Sequence, residues 1–81
     1  MLLKVKYFAR FSELTGKNEE TLEVDDSTSV LDLKQRIMTD YPLLKRYESS
    51  MVLAKNENFT RDNEKLNSGD SIYLFPPVSG G

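Results

Sequence analysis

The sequence contains no cysteine and no histidine, and these two absences exclude several kinds of chemistry. Without cysteine, the chain has no disulfide framework, no thiolate nucleophile and no cysteine-based metal site. Without histidine, it also lacks the commonest general base near neutral pH. No other motif marks a catalytic site, so we expect that the chain has no catalytic site of its own. If the chain takes part in covalent chemistry, its distinctive reactive group is the terminal carboxylate.

Long apolar runs and concentrated basic patches are also missing. No apolar stretch approaches the ~20 residues that span a bilayer, and no signal-peptide pattern opens the chain. The 11 lysines and arginines are scattered and the net charge is −2, whereas phosphate binding needs a basic patch. A glycine-rich phosphate loop is absent too. We therefore expect a cytoplasmic protein that binds neither membranes nor nucleic acid and holds no cofactor stably.

The remaining composition is typical of one small soluble domain. The chain has 81 residues, of which 38% are hydrophobic and 30% are charged, which suits a single globular core. Alternating apolar residues predict strands, and apolar spacings of three and four residues predict one main helix. Residues 9–16 and 43–50 are expected to form short helical turns or loops. The predicted strands span residues 2–8, 18–24, 51–55, 59–60 and 71–75, and the helix begins after Ser29 and ends at Pro42.

The predicted helix has a start signal, an end signal and one apolar side. Ser29 and Asp32 have the spacing of a capping box, in which each side chain accepts a hydrogen bond from the other residue's backbone N–H. Pro42 ends the helix, because it disfavours helical geometry at the residue before it. An apolar stripe along the helix is expected to pack against the sheet. The stripe consists of Val30, Leu33, Ile37 and Tyr41.

Because one helix covers only one face of a four- or five-stranded sheet, the other face is expected to remain open. Strand alternation directs Phe8, Tyr73 and Phe75 to this open face. Single exposed apolar side chains are common in proteins, so the prediction depends on these three residues lying together. If they cluster beside the last residues of the chain, we expect them to form a partner-binding patch.

Residues 76–81 are predicted to form a tail that leaves a domain made of residues 1–75. The two prolines at its start fix φ and favour a stiff, extended path. Gly80 and Gly81 have no side chains, so this flexible end could enter a slot too narrow for any other residue. Because a partner would have to receive the tail, contact residues are predicted within it as well. The predicted partner-binding residues are Phe8, Tyr73, Phe75, Pro76, Pro77, Val78 and Ser79.

A set of short motifs spans the whole chain. They are Tyr7-Phe8-Ala9, Glu13-Leu14-Thr15-Gly16, Ser29-Val30-Leu31-Asp32-Leu33, Tyr41-Pro42, Asn56-Glu57, Gly69-Asp70 and Phe75-Pro76-Pro77-Val78-Ser79-Gly80-Gly81. With these motifs the chain resembles the ubiquitin-like β-grasp sulfur carriers, and among them the small subunits of molybdopterin synthase. The ending is the specific motif, since related carriers for thiamine usually lack the double proline. The resemblance implies an α+β fold of the β-grasp type, with a mixed four- to five-stranded sheet and one main helix on one face.

The resemblance also implies a function and a set of partners. In this family, an adenylating enzyme of the ubiquitin-activating type uses ATP to convert the terminal carboxylate, here Gly81, into an acyl-adenylate that carries AMP transiently. A sulfur donor protein then converts the adenylate to a thiocarboxylate. The tail, with Gly80 and Gly81 at its tip, enters the large subunit of molybdopterin synthase in a heterotetramer. Sulfur passes there to cyclic pyranopterin monophosphate, in the synthesis of the molybdenum cofactor.

Three other functions are compatible with the same ending. A sister sulfur carrier would supply thiamine or another sulfur-containing product through the same terminal chemistry, although the double proline argues against it. A ubiquitin-like modifier would be joined through Gly81 to target lysines. An interaction domain with an inert tail would leave Gly81 unmodified.

Overall fold

The computed structural model describes residues 1–77 and contains five strands within them. Each strand boundary lies within one residue of the predicted position, so the predicted order of elements is confirmed. The predicted helical turns are present as well. The strands are β1 (Leu2–Tyr7), β2 (Glu19–Glu23), β3 (Val52–Lys55), β4 (Asn58–Phe59) and β5 (Ser71–Phe75), and the helices are α1 (Arg10–Thr15), α2 (Val30–Asp40) and a 3-10 helix (Pro42–Tyr47).

The strands form one mixed sheet in the order β2-β1-β5-β3-β4. β1 and β2 form the predicted antiparallel pair of sequence neighbours. β5 pairs parallel with β1 and antiparallel with β3, so the last strand lies in the centre of the sheet. The backbone N–H of Phe8 donates to the carbonyl of Leu74 at 3.1 Å, which keeps Phe8 beside β5 after β1 has ended.

The main helix covers one face of this sheet, which we call the covered face; the opposite one is the open face. The capping box is present, since the Asp32 N–H donates to Ser29 Oγ at 3.2 Å and the Ser29 N–H donates to Asp32 Oδ2 at 3.1 Å. Val30, Leu33 and Ile37 of the predicted stripe are fully buried, and Tyr41 packs at the margin of the core. The core consists of Leu3, Val5, Tyr7, Phe11, Leu22, Val30, Leu33, Ile37, Met38, Leu44, Met51, Leu53, Leu66, Ile72 and Leu74.

The end of β5 coincides with the predicted end of the domain at residue 75. Four residues of the predicted tail lie outside the described residues; they are Val78, Ser79, Gly80 and Gly81. The division of the chain into a domain of residues 1–75 and a tail of residues 76–81 therefore stays a prediction. Among the helices of residues 1–77, none has the length and apolar character needed to cross a membrane.

Candidate functional site

Three aromatic side chains cluster on the open face, as the sequence predicts. The rings of Phe8 and Phe75 are stacked, with centroids 4.7 Å apart and planes inclined by 13°. The ring of Tyr73 lies 6.0 Å from that of Phe8. Phe8 is 37% exposed, and the other two rings are half-buried. The predicted cluster is therefore present beside the start of the tail, while its role in partner binding stays a prediction.

Two rings of the cluster, those of Phe8 and Phe75, line one wall of an apolar groove with a volume of about 480 Å³. Because Pro76 and Pro77 also line the groove, the predicted tail begins within it. Among the described residues that line it, none is an acid, a base or a nucleophile, so these residues form an apolar surface without catalytic groups. The apolar groove is lined by Phe8, Ala9, Val52, Phe59, Phe75, Pro76 and Pro77.

Three lining residues were not among the predicted contacts, and the sheet register explains two of them. Val52 lies opposite Phe75 on the neighbouring strand β3. Phe59 lies opposite Ala54, and Ala54 is paired with Tyr73 on its other side. The side chain of Phe59 is 78% exposed. Sequence alternation within single strands gives no signal for such neighbours, because the order of strands in the sheet must be known first.

A charged strip borders the apolar groove on the side of β1 and β2. Lys4 and Glu19 form an ion pair of 3.8 Å between exposed side chains. Lys6 is the next residue of β1 on the same face as Lys4, and its Nζ is 5.6 Å from the centroid of the Tyr73 ring. An apolar centre with a charged rim is the usual composition of a protein–protein contact surface. The open face therefore has the chemistry of a docking surface.

A second polar arrangement lies at the margin of the covered face and ties three elements together. The carboxylate of Glu20 on β2 accepts hydrogen bonds from the hydroxyl of Tyr7 and, at 2.8 Å, from that of Tyr41. Lys17 Nζ lies 3.5 Å from the same carboxylate. These hydrogen bonds and the ion pair stabilise the fold, and none of the residues that form them lines the apolar groove.

The environment of Glu20 shifts the pKa values of both partners in its shortest hydrogen bond. Partial burial alone would raise the pKa of the Glu20 carboxyl, but the hydrogen bonds from Tyr7 and Tyr41, together with Lys17, outweigh it and lower that pKa. Burial, followed by the hydrogen bond to Glu20, raises the pKa of the Tyr7 hydroxyl well above its usual range. The ionised carboxylate and the protonated phenol are therefore the favoured forms in the fold.

The model of the ThiS family matches residues 5–81, which is nearly the whole chain. This protein belongs to the ThiS family. The molybdopterin synthase sulfur carrier subunit of Chlamydomonas reinhardtii is 39% identical to this ThiS-family protein over 83 residues, and the alignment covers all of both chains.

Two solved structures are similar to this ThiS-family protein. A putative molybdopterin converting factor subunit 1 from Pyrococcus furiosus is 34% identical, with a TM-score of 0.88 over 96% of this chain and 99% of its own. A small archaeal modifier protein from Haloferax volcanii is 27% identical, with a TM-score of 0.87 over all of both chains. The predicted ubiquitin-like β-grasp fold and the predicted relationship to molybdopterin synthase sulfur carriers are both confirmed.

Proposed function

We propose that this ThiS-family protein is the sulfur carrier subunit of a molybdopterin synthase and that the carboxylate of Gly81 is its reactive group. The observation that carries the proposal is the position of the tail's first residues. β5 ends at Phe75 in the centre of the sheet, and Phe75, Pro76 and Pro77 all line the apolar groove. A partner that binds the groove would therefore contact Pro76 and Pro77, the residues from which the tail continues.

In the proposed reaction, Gly81 must first be activated, because a free carboxylate is a poor acceptor for a nucleophile. An adenylating enzyme of the ubiquitin-activating type catalyses attack of the carboxylate on the α-phosphorus of ATP. Pyrophosphate leaves, and an acyl-adenylate with transiently bound AMP is formed. A sulfur donor protein then delivers sulfur at the oxidation level of sulfide to the acyl carbon, AMP leaves, and a thiocarboxylate remains on Gly81.

In this scheme, residues of the chain itself keep the acyl carbon accessible and set the direction of the tail. Gly80 and Gly81 leave the acyl carbon unhindered, since neither has a side chain. The chain has no cysteine, so it cannot carry sulfur as a persulfide, and the terminal acyl group is its sulfur carrier. Pro76 and Pro77 favour an extended direction away from the sheet.

The large subunit of molybdopterin synthase is the proposed partner for the apolar groove. We propose that the two kinds of subunit form a heterotetramer in the cytoplasm, and that the tail reaches the large subunit's active site through contacts that include Val78 and Ser79. Sulfur then passes to cyclic pyranopterin monophosphate. The likeness to the Chlamydomonas and Pyrococcus proteins supports this choice of synthase over a thiamine pathway, as does the double proline.

Intact mass spectrometry tests the proposal after incubation of the protein with ATP, an activating enzyme and a sulfur source. The expected result is a mass gain equal to the difference between one sulfur and one oxygen atom. A variant that lacks Gly80 and Gly81 is the control and should show no gain. An unchanged mass of the full chain with competent partners would overturn the proposal. Adding the large subunit and the pterin substrate should then regenerate the original mass with formation of the dithiolene product.

A protein modifier is a second candidate function, and the likeness to the Haloferax protein favours it. In that case the activated carboxyl of Gly81 would form an isopeptide bond with a lysine of a target protein. The same mass measurement in a cell extract distinguishes the two functions, since a modifier gives high-mass adducts. A sulfur carrier gives only the small gain described above.

A further inference from the structure

Ala9 adopts a backbone conformation that alanine disfavours. Its φ of 52° and ψ of −127° fit the first central position of a type II′ turn, where glycine is the usual residue. The turn is closed by the backbone N–H of Phe11, which donates to the carbonyl of Phe8 at 3.0 Å. The Cβ of Ala9 therefore strains the backbone immediately after a residue of the aromatic cluster.

Ala9 is also a poor residue for the start of α1. It occupies the N-cap position and provides no side-chain hydrogen bond to the first turn, whereas serine, aspartate, asparagine and glycine are all preferred there. Elsewhere in residues 1–77, positive φ values occur only at Gly16, Gly69 and Asn56, which are residue types that tolerate them. On two independent counts, then, glycine would suit the fold better than Ala9.

A local misfit of this kind is expected where a residue serves the function instead of the fold. Ala9 is exposed and lines the apolar groove next to Phe8. We propose that the methyl group of Ala9 is a contact point of the docking surface, retained although it lowers the stability of the free protein. The inference rests on the proposed function, because the large subunit is the partner that would bury this methyl group.

The chemistry of the groove defines what must cover Ala9. The described residues that line the apolar groove have no charged side chain. On its other side, Ala9 borders a second cavity that Lys6, Glu13 and Glu19 also line. The part of the large subunit that covers Ala9 from the side of the apolar groove should therefore be an apolar segment. A methyl group buried against such a segment contributes to affinity through the hydrophobic effect.

The variant Ala9→Gly tests the inference, because stability and affinity should change in opposite directions. Relief of the strain should raise the melting temperature by roughly 4–8 °C. Loss of one buried methyl group should raise the Kd for the purified large subunit of the same organism about fourfold. Thermal unfolding and titration calorimetry on the full chain measure the two quantities.

Gly16→Ala is the matched control at the other end of α1. Gly16 has a φ of 76°, and a Cβ added there meets no atom within 4 Å. This variant should lower the melting temperature, since it adds a Cβ at positive φ, and should leave the Kd unchanged. If the Kd instead fell in the more stable Ala9→Gly and rose in the less stable Gly16→Ala, affinity would depend on stability alone. The methyl group of Ala9 would then make no contact.

The remaining outcomes separate this inference from the function on which it rests. If Ala9→Gly raises the melting temperature and binds the large subunit as tightly as the wild type, the inference is wrong and the proposed function stands. If Ala9→Gly does not raise the melting temperature, the strain is absent and the inference is also wrong. If the wild-type chain does not bind the large subunit at all, the proposed function fails as well.

Discussion

Alternate residues of β5 face opposite sides of the sheet and differ in their exposure to water. Ile72 and Leu74 are fully buried on the covered face, whereas Tyr73 and Phe75 are half-buried on the open face. Full burial of a large apolar side chain contributes roughly 1.5–3 kcal/mol to stability. The covered face thus accounts for much of the folding free energy, while the open face leaves apolar area in contact with water.

The comparison shows how one strand can contribute to the core on one face and to an apolar groove on the other. On the covered face, the side chains of β5 pack with those of α2 in a continuous core. On the open face, the rings of Phe8 and Phe75 stack on each other and line an apolar groove. Because exposed apolar patches mark interaction sites, substitutions on the two faces should separate effects on stability from effects on binding.

Phe75→Ala should weaken docking strongly and the fold only mildly. Loss of the stack on Phe8, a contact worth about 0.5–1.5 kcal/mol, should lower the free energy of unfolding by about 1 kcal/mol. A central aromatic anchor contributes about 2 kcal/mol or more to binding, so the Kd for the large subunit should rise about thirtyfold. Chemical denaturation measures the first quantity and titration calorimetry the second.

Leu74→Ala is the matched control, because Leu74 is the preceding residue and faces the other side. The side chain is 0% exposed, so its truncation should lower the free energy of unfolding by about 2–5 kcal/mol. The protein that remains folded should bind with unchanged Kd. If Phe75→Ala instead destabilised the fold as severely as Leu74→Ala, without a selective loss of affinity, the two faces would not have separate tasks.

Local signals in the sequence were sufficient to predict most of the fold. Strand alternation depends on neighbours along the chain, as does the capping box of Ser29 and Asp32, and both are present in the structure. The same alternation places Phe8, Tyr73 and Phe75 on one face. The lateral neighbours of these residues were not predictable, because the pairing of Val52 with Phe75 depends on β5 lying between β1 and β3.

Two features required tertiary structure to be found. Glu20 is one of several acidic residues in and around β2, and only the approach of the Tyr7 and Tyr41 hydroxyls distinguishes it. Ala9 belongs to a motif that carried the family resemblance, yet a residue type does not reveal its φ. Glu20 is distinguished by contacts between segments distant in sequence, and Ala9 by a backbone angle, and neither can be read from the residue type.

Glu20→Gln should lower the free energy of unfolding, because it weakens the hydrogen bonds from Tyr7 and Tyr41 at the margin of the covered face. Hydrogen bonds to a charged acceptor are about twice as strong as neutral ones, so the free energy of unfolding should fall by roughly 1–2 kcal/mol at neutral pH. The fold lowers the pKa of Glu20 from its ordinary value of 4.5. Its contribution is therefore complete above that value and is lost as the pH falls through the lower, folded-state pKa.

The stabilities of the wild type and Glu20→Gln should consequently converge on acidification. Chemical denaturation of both proteins at neutral pH and at successively lower pH values measures the effect. At neutral pH the Kd for the large subunit should be the same for both proteins, because Glu20 lies outside the apolar groove. A loss of affinity similar to that of Phe75→Ala would contradict the separation of the two faces.

Phe59→Ala tests how far the docking surface extends toward the edge of the sheet. Phe59 is 78% exposed on β4, so its truncation should change the free energy of unfolding by less than about 0.5 kcal/mol. Because residues at the rim contribute less than central anchors, the Kd should rise only about fivefold, which corresponds to about 1 kcal/mol. Titration calorimetry with the large subunit measures this change.

Leu43→Ala is the control for Phe59, because both side chains are apolar and mostly exposed. Leu43 is 64% exposed on the 3-10 helix and does not line the apolar groove. Its truncation should change neither stability nor Kd appreciably. If Phe59→Ala behaved in the same way, docking would be confined to the aromatic cluster of Phe8, Tyr73 and Phe75. A selective loss of affinity in Phe59→Ala would instead show that the partner contacts the open face as far as β4, at the edge of the sheet.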